Sequence, residues 1–184
     1  MKKQLLTITT AIFMAAFTLN AQVAPTIVGQ GFTKGLVGIE VDGNGKIWLT
    51  EQGSGNNDGA ITVLNPDGTT SPFMAGLASA LTPSGELSGP VRTIQLSGDK
   101  VLVVMGEGVQ SSMEALLIVD KSGWTPGTPL PFTAIEQIIK IGDFTHAQGA
   151  MNSNPYNLTW DAAGDIYIAD AGGNSIVKRK DATG

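Results

Sequence analysis

Between residues 37 and 51 apolar and polar positions alternate. Val37, Ile39 and Val41 face one way and Gly38, Glu40 and Asp42 the other, which is the period of a strand and not of a helix. Asp42-Gly43-Asn44-Gly45 then reads as a hairpin turn, in which the Asp42 carboxylate accepts backbone N–H groups and Gly45 supplies a positive φ. A second strand follows in Ile47-Trp48-Leu49-Thr50, rich in β-branched and aromatic residues. Beyond a glycine-rich loop comes a third, Ala60-Ile61-Thr62-Val63-Leu64. The turn Asn65-Pro66-Asp67-Gly68 leads into a fourth, Thr70-Ser71-Pro72-Phe73.

The same pattern recurs. Residues 37–51 align without a gap on residues 156–170, so that Asp42 falls on Asp161, Gly45 on Gly164, Trp48 on Tyr167 and Glu51 on Asp170. Ser175-Ile176-Val177-Lys178 then repeats the third strand. A looser copy lies between them: Pro90 to Leu96, the shorter turn Ser97-Gly98-Asp99, and Lys100 to Val104. Four short antiparallel strands per unit, written three times, predict an all-β chain built as a β-propeller, with about three four-stranded blades forming a partial ring over residues 22–184. Ile47 to Val101 spans 54 residues and Val101 to Ile166 spans 65, against roughly 40 to 50 for common blades. Two insertions account for the excess, Gly76 to Gly89 and Trp124 to Asn154. Within the second, Thr133-Ala134-Ile135-Glu136 fits a helix-capping box with Ile135, Ile138 and Ile139 on one helical face, while the same isoleucines fit a strand equally well.

Composition sharpens this picture. Of 184 residues, 24 are glycine, as repeated turn chemistry requires, and none is cysteine, which excludes disulfides, thiolate metal sites and a cysteine nucleophile. Net charge is -5, and it falls to -7 once Lys2 and Lys3 are removed with a leader. So acidic a chain offers no footprint for nucleic acid or anionic lipid, and the run Lys178-Arg179-Lys180 reads as a solvated strand face. Residues 1–21 read as a signal peptide: a basic start, an apolar stretch from Leu5 to Phe17 and a small residue, Ala21, at the cut. That stretch is too short for a bilayer-spanning helix of about 20 residues, so a secreted or periplasmic product without a transmembrane segment is expected.

The text from Asn154-Pro155-Tyr156 through Asp165-Ile166-Tyr167-Ile168-Ala169-Asp170 to Gly173-Asn174 resembles NHL and SMP-30-like propeller repeats. Together with Thr50-Glu51-Gln52-Gly53-Ser54-Gly55-Asn56-Asn57-Asp58-Gly59, Gly85-Glu86-Leu87-Ser88-Gly89-Pro90 and Ser153-Asn154-Pro155-Tyr156, it resembles the ScyD/ScyE family of secreted propellers. The resemblance implies a fold and an exported location and says little about chemistry. Family members look like complete propellers of about twice this mature length. The chain is therefore expected to be an amino-terminal fragment, its missing blades supplied by a longer chain or by another copy, since an open strand edge invites pairing.

Candidate chemistry is sparse. His146 is the single histidine and no serine near it forms a nucleophile elbow, so it reads as exposed or turn-stabilising. Glu51, Asn56, Asn57, Asp58 and Asp170 are oxygen donors suited to calcium, and the resemblance to SMP-30-like lactonases implies one divalent cation held by Glu, Asn and Asp at a channel mouth. The same residues also suit turns, as acceptors of backbone N–H bonds. Trp48, Tyr167 and Trp160 are expected to pack between adjacent blades. No catalytic set is identifiable. Two functions follow: an exported, non-catalytic propeller binding a protein or small-molecule ligand at its loops, or the front half of a calcium-dependent lactonase-type hydrolase.

Overall fold

The computed structural model describes residues 25–96 and 98–180, so the signal peptide read at residues 1–21 lies outside the described residues. The chain is all-β, arranged in three successive antiparallel sheets. The first holds β1 (Leu36–Val41), β2 (Ile47–Glu51), β3 (Gly59–Leu64) and β4 (Thr70–Leu77) in chain order. A small hairpin, β5 (Ala80–Leu81) and β6 (Leu87–Ser88), precedes the second sheet of β7 (Pro90–Gln95), β8 (Lys100–Met105), β9 (Ala115–Asp120) and β10 (Ile135–Lys140). A short helix, α1 (Ile141–Ala147), leads to the third sheet of β11 (Pro155–Trp160), β12 (Ile166–Asp170) and β13 (Ser175–Arg179).

Turn chemistry fixes the hairpins as the sequence requires. Asp42 Oδ1 accepts the amides of Asn44 and Lys46 at 2.8 and 3.0 Å, and Asp161 Oδ1 accepts those of Ala163 and Asp165 at 2.9 and 3.1 Å. The other carboxylate oxygen takes the aromatic hydrogen-bond donor of the following strand, Trp48 Nε1 in one copy and Tyr167 Oη in the other. Gly45 and Gly164 close the turns at φ 76° and 85°. Such positive φ angles suit glycine, which has no Cβ to clash.

The unit repeats in detail that the sequence does not spell out. Each sheet carries a one-residue bulge at the start of its first strand, at Val37, Val91 and Tyr156. Each also ties the residue after its second strand to a carbonyl just before its first: Gln52 N to Gly35 O at 2.8 Å, Gly106 N to Gly89 O at 2.9 Å and Ala171 N to Asn154 O at 2.9 Å.

The sheets stack face to face in one sense. Ladder register puts Trp48, Ile61 and Val63 on one face of the first sheet, where they join Val101, Val103, Leu117 and Val119 of the second in a single core. The opposite face of the second sheet, with Leu102, Val104, Leu116 and Ile118, forms another core with Leu158, Ile166, Ile168 and Val177 of the third. Burying each such aliphatic side chain contributes about 1.5–3 kcal/mol, which makes the two junctions the main source of stability. Trp48, Phe73 and Trp124 cluster edge-to-face or tilted at the first junction, with ring centroids 4.9 to 6.0 Å apart.

Several expectations need correction. The residues from Trp124 to Asn154 are not simply an insertion, because Ile135–Lys140 is the fourth strand of the second sheet. The isoleucines thus follow the strand alternative and not the capping-box helix, and pairing with the apolar run Ala115–Asp120 decides it. A single 3-10 turn covers Phe132–Ala134, and the α-helix starts at Ile141. In the first insertion β4 continues to Leu77 and the hairpin β5–β6 follows. The alternation in β1 also has an unexpected orientation: Ile39 and Val41 are exposed and Gly38 is the buried residue. A Cβ on Gly38 would meet Val91 O at 2.7 Å, so close approach of β7 demands glycine there. Trp48 packs between sheets as expected, whereas Trp160 is exposed and Tyr167 is half-buried with its hydroxyl on Asp161. Among the described residues no helix is long and apolar enough to cross a membrane.

Candidate functional site

The three repeated amide-to-carbonyl bonds sit at one end of the sheets, and there the sheets open onto a shared cleft. Its volume is about 420 Å³. Gln52 reaches it from the end of β2, Glu86 and Ser88 from the β5–β6 hairpin, Glu107 from the end of β8, and Asn154 and Tyr156 from the entry to β11. An adjoining hollow of about 690 Å³ shares Thr82, Ser88 and Glu107 and adds Leu81, Val109, Glu114 and Asn152.

Polar contacts hold this wall together across elements. Ser88 Oγ donates to Glu107 O at 2.7 Å, Glu107 N to Asn154 Oδ1 at 3.2 Å, and Asn152 Nδ2 to Glu107 Oε2 at 2.9 Å. Gly89 permits the hairpin's approach, since a Cβ there would fall 2.1 Å from Gln52 O. Three carboxylates, Glu86, Glu107 and Glu114, line the two hollows, and no lysine or arginine lines either. The lining is therefore acidic, with Glu114 facing His146, and it lies beside the exposed apolar surfaces of Leu81, Val109 and Tyr156.

His146 stands behind this wall on α1. Its Nδ1 lies 3.0 Å from Ala150 O and its Nε2 lies 3.3 Å from Glu114 Oε2. The Ala150 carbonyl, the largest influence, raises its pKa above the usual histidine value; desolvation opposes this, and Glu114 adds to the rise. It stabilises a turn, as the sequence suggested, and it also restrains a cleft carboxylate.

The five residues expected to suit calcium are not gathered at one place. Glu51 is buried at the end of β2, with Oε1 accepting Thr62 Oγ1 at 2.7 Å. Asp170, also buried, lies at the end of β12 in the third sheet. Its Oδ2 accepts the hydroxyls of Thr145 and Ser153 at 2.9 and 2.7 Å, and its Oδ1 accepts the amides of Asn154 and Gly173 at 2.7 and 3.0 Å. Burial pushes the Asp170 carboxyl up, but these four donors outweigh it and hold the group below the ordinary carboxylate range. Asn57 and Asp58 do share a neighbour. Asn57 Oδ1 accepts Ser79 N at 3.4 Å, while Asp58 Oδ1 accepts Ser54 N at 2.7 Å and Ser79 Oγ at 3.1 Å. The Ser54 amide is the main cause that lowers the Asp58 pKa. Asn56 bonds Ser54 Oγ from the same loop. Among the described residues no group of three or more His, Asp or Glu side chains is placed to hold a metal ion.

Sequence reasoning missed Glu107 as a wall of the cleft, and nothing in its local sequence marks it. Glu86, Asn154 and Tyr156 had a signal, because they belong to the two motifs, Gly85 to Pro90 and Ser153 to Tyr156, that carry the ScyD/ScyE resemblance. No protein family model matches this chain, and no curated protein matches it.

Proposed function

We propose that this chain is an exported β-propeller module of the ScyD/ScyE kind that works by binding and not by catalysis, holding a cationic, partly apolar ligand such as a basic peptide segment in the cleft its three sheets share. The propeller reading is supported by the bulge and the amide-to-carbonyl bond that recur in all three sheets, and by stacking of the sheets in one sense. Export rests on the basic start, apolar core and Ala21 of the leader.

One observation carries the ligand class: Glu86, Glu107 and Glu114 line adjoining hollows with no lysine or arginine among the lining residues. Cationic groups would form charge-assisted hydrogen bonds there, while Tyr156, Leu81 and Val109 offer apolar contact. The calcium-dependent hydrolase alternative draws no support from Asp170, both of whose oxygens are taken by protein donors.

A thermal-shift series with a short arginine- and phenylalanine-containing peptide, an acidic peptide of equal length and calcium chloride tests the reading. The basic peptide is expected to raise the melting temperature at low salt, and Glu86→Gln with Glu107→Gln to abolish that rise. No response to the basic peptide, or one that the double variant retains, would refute it. A response at micromolar calcium that Asp58→Asn removes would favour the hydrolase reading.

A further inference from the structure

Both ring nitrogens of His146 face groups that can only accept. Its Nδ1 meets the Ala150 carbonyl at 3.0 Å, and its Nε2 meets Glu114 Oε2 at 3.3 Å. A carbonyl oxygen has no proton to give, so the neutral ring keeps its one proton on Nδ1 and turns a lone pair toward the Glu114 carboxylate. Only the doubly protonated ring satisfies both contacts, and the second then becomes a charge-assisted hydrogen bond.

Glu114 can answer that change with its side chain alone. Its backbone stands at φ 50°, a left-handed conformation that residues with a Cβ rarely adopt. Two bonds hold it there: Glu114 N donates to Gly106 O at 2.7 Å, and Gly142 N donates to Glu114 O at 3.0 Å. The side chain runs over the first turn of α1, where a Cβ on Gly142 would fall 2.1 Å from Oε2. Glycine at 142 therefore leaves the seat in which the carboxylate meets His146. The other oxygen, Oε1, lies 3.5 Å from the Gly108 amide, at the far limit of a hydrogen bond. Loss of the His146 contact thus leaves the carboxylate weakly restrained.

That carboxylate belongs to the ligand site as well. With Glu107, Gly108 and Val109 it lines the hollow of about 690 Å³ beside the cleft. The Glu114 side chain is 17% exposed and that of His146 is 40% exposed, so ligand and protons can both reach the pair.

The charges on neighbouring elements set the background for the ring. Asp170 on β12 favours its charged form, although both Asp170 oxygens accept from Thr145, Ser153, Asn154 and Gly173. Asp143 lies on α1 itself, one turn before His146. Lys140, from β10, donates to Met113 O beside Glu114, and Glu107 accepts from Asn152 Nδ2. Histidine is the side chain whose ordinary titration falls between pH 5 and 8, and His146 is the one histidine of the chain.

We infer that His146 gates the acidic cleft by its protonation: the charged ring seats and neutralises Glu114, and the neutral ring frees that carboxylate to meet the cationic ligand. Binding of a cation therefore strengthens as pH rises, and by reciprocity a bound cation drives the proton off His146. The inference rests on the reading of the cleft as a cation-binding site and adds its regulation.

Calorimetric titration at pH 6.0 and 8.5 in low salt tests the gate. The probe is the arginine- and phenylalanine-containing peptide, acetylated and amidated so that its ends do not titrate. Wild-type affinity is expected to rise about two- to fivefold at the higher pH. His146→Gln should bind at the tight level at both pH values and Glu114→Gln at the weak level at both, opposite plateaus that a merely structural role would not produce. In untagged protein the lone histidine gives its own imidazole NMR titration, whose midpoint should fall when saturating peptide is added and also, without peptide, in Glu114→Gln. Equal wild-type affinity at the two pH values, the wild-type pH dependence retained in His146→Gln, or a midpoint that neither peptide nor Glu114→Gln moves would overturn the gate and leave the cleft reading standing. Absence of peptide binding at either pH would overturn both.

Discussion

Thr50 Oγ1 and Thr93 Oγ1 lie 2.9 Å apart in the buried interface between the first and second sheets. Each hydroxyl serves the other where water cannot reach. Thr50→Val should therefore cost about 1–3 kcal/mol, since it strands the Thr93 hydroxyl, while Thr50→Val with Thr93→Val should cost less than the sum of the single changes. Denaturant unfolding of the four proteins measures the coupling; strict additivity would contradict a mutual bond.

Asp170 anchors the third sheet by accepting from Thr145, Ser153, Asn154 and Gly173. Asp170→Ala leaves buried donors unpaired and should cost about 3 kcal/mol. Because the folded carboxyl titrates below its unfolded value, its stabilisation is complete above about pH 4 and fades as pH falls through the folded value. The melting-temperature gap between wild type and Asp170→Asn should thus be wide at pH 7 and narrow at pH 3. A gap that widens with acid would refute the assignment.

For His146 the sign is reversed. Its folded pKa is raised by Ala150 O and Glu114, so its stabilisation is complete below the unfolded value of about 6.5 and fades as pH rises through the folded value. His146→Gln should destabilise more at pH 6 than at pH 8. Equal melting-temperature losses at both would show that charge plays no part.

At the first junction Trp48 packs against Phe73 and Trp124, whereas its repeat partner Tyr167 is half-buried on the third sheet. Trp48→Ala should cost about 4 kcal/mol, and Tyr167→Phe, which removes only the bond to Asp161, about 1 kcal/mol. Chemical denaturation compares them. Similar losses would mean that equivalent sequence positions do equivalent packing.

That contrast shows where the sequence was legible. Hairpins were readable because Asp42 and Asp161 act within six residues of themselves, on Trp48 and Tyr167, and local chemistry is written locally. The third strand of the second sheet, Ala115–Asp120, gave no alternation to read, since both its faces are buried and apolar. The fate of Ile135–Lys140 depended on that unread partner. Burial misled at β1, where Ile39 alternates like a core residue yet lies on a free face, and Gly38 is the one covered, by a carbonyl more than 50 positions away. The site was half legible: Glu86, Asn154 and Tyr156 stood in recognisable motifs, while Glu107 joins them only because the second sheet packs beside the third.

Binding at the shared cleft is tested most directly by calorimetric titration of the arginine- and phenylalanine-containing peptide into the protein and into its Glu86→Gln/Glu107→Gln variant, at low and at physiological salt. The account predicts saturable binding to the wild type that weakens with salt and drops at least tenfold in the variant, a loss of about 1.4 kcal/mol or more. Equal affinity in the two proteins, or no binding to the wild type at low salt, would contradict it.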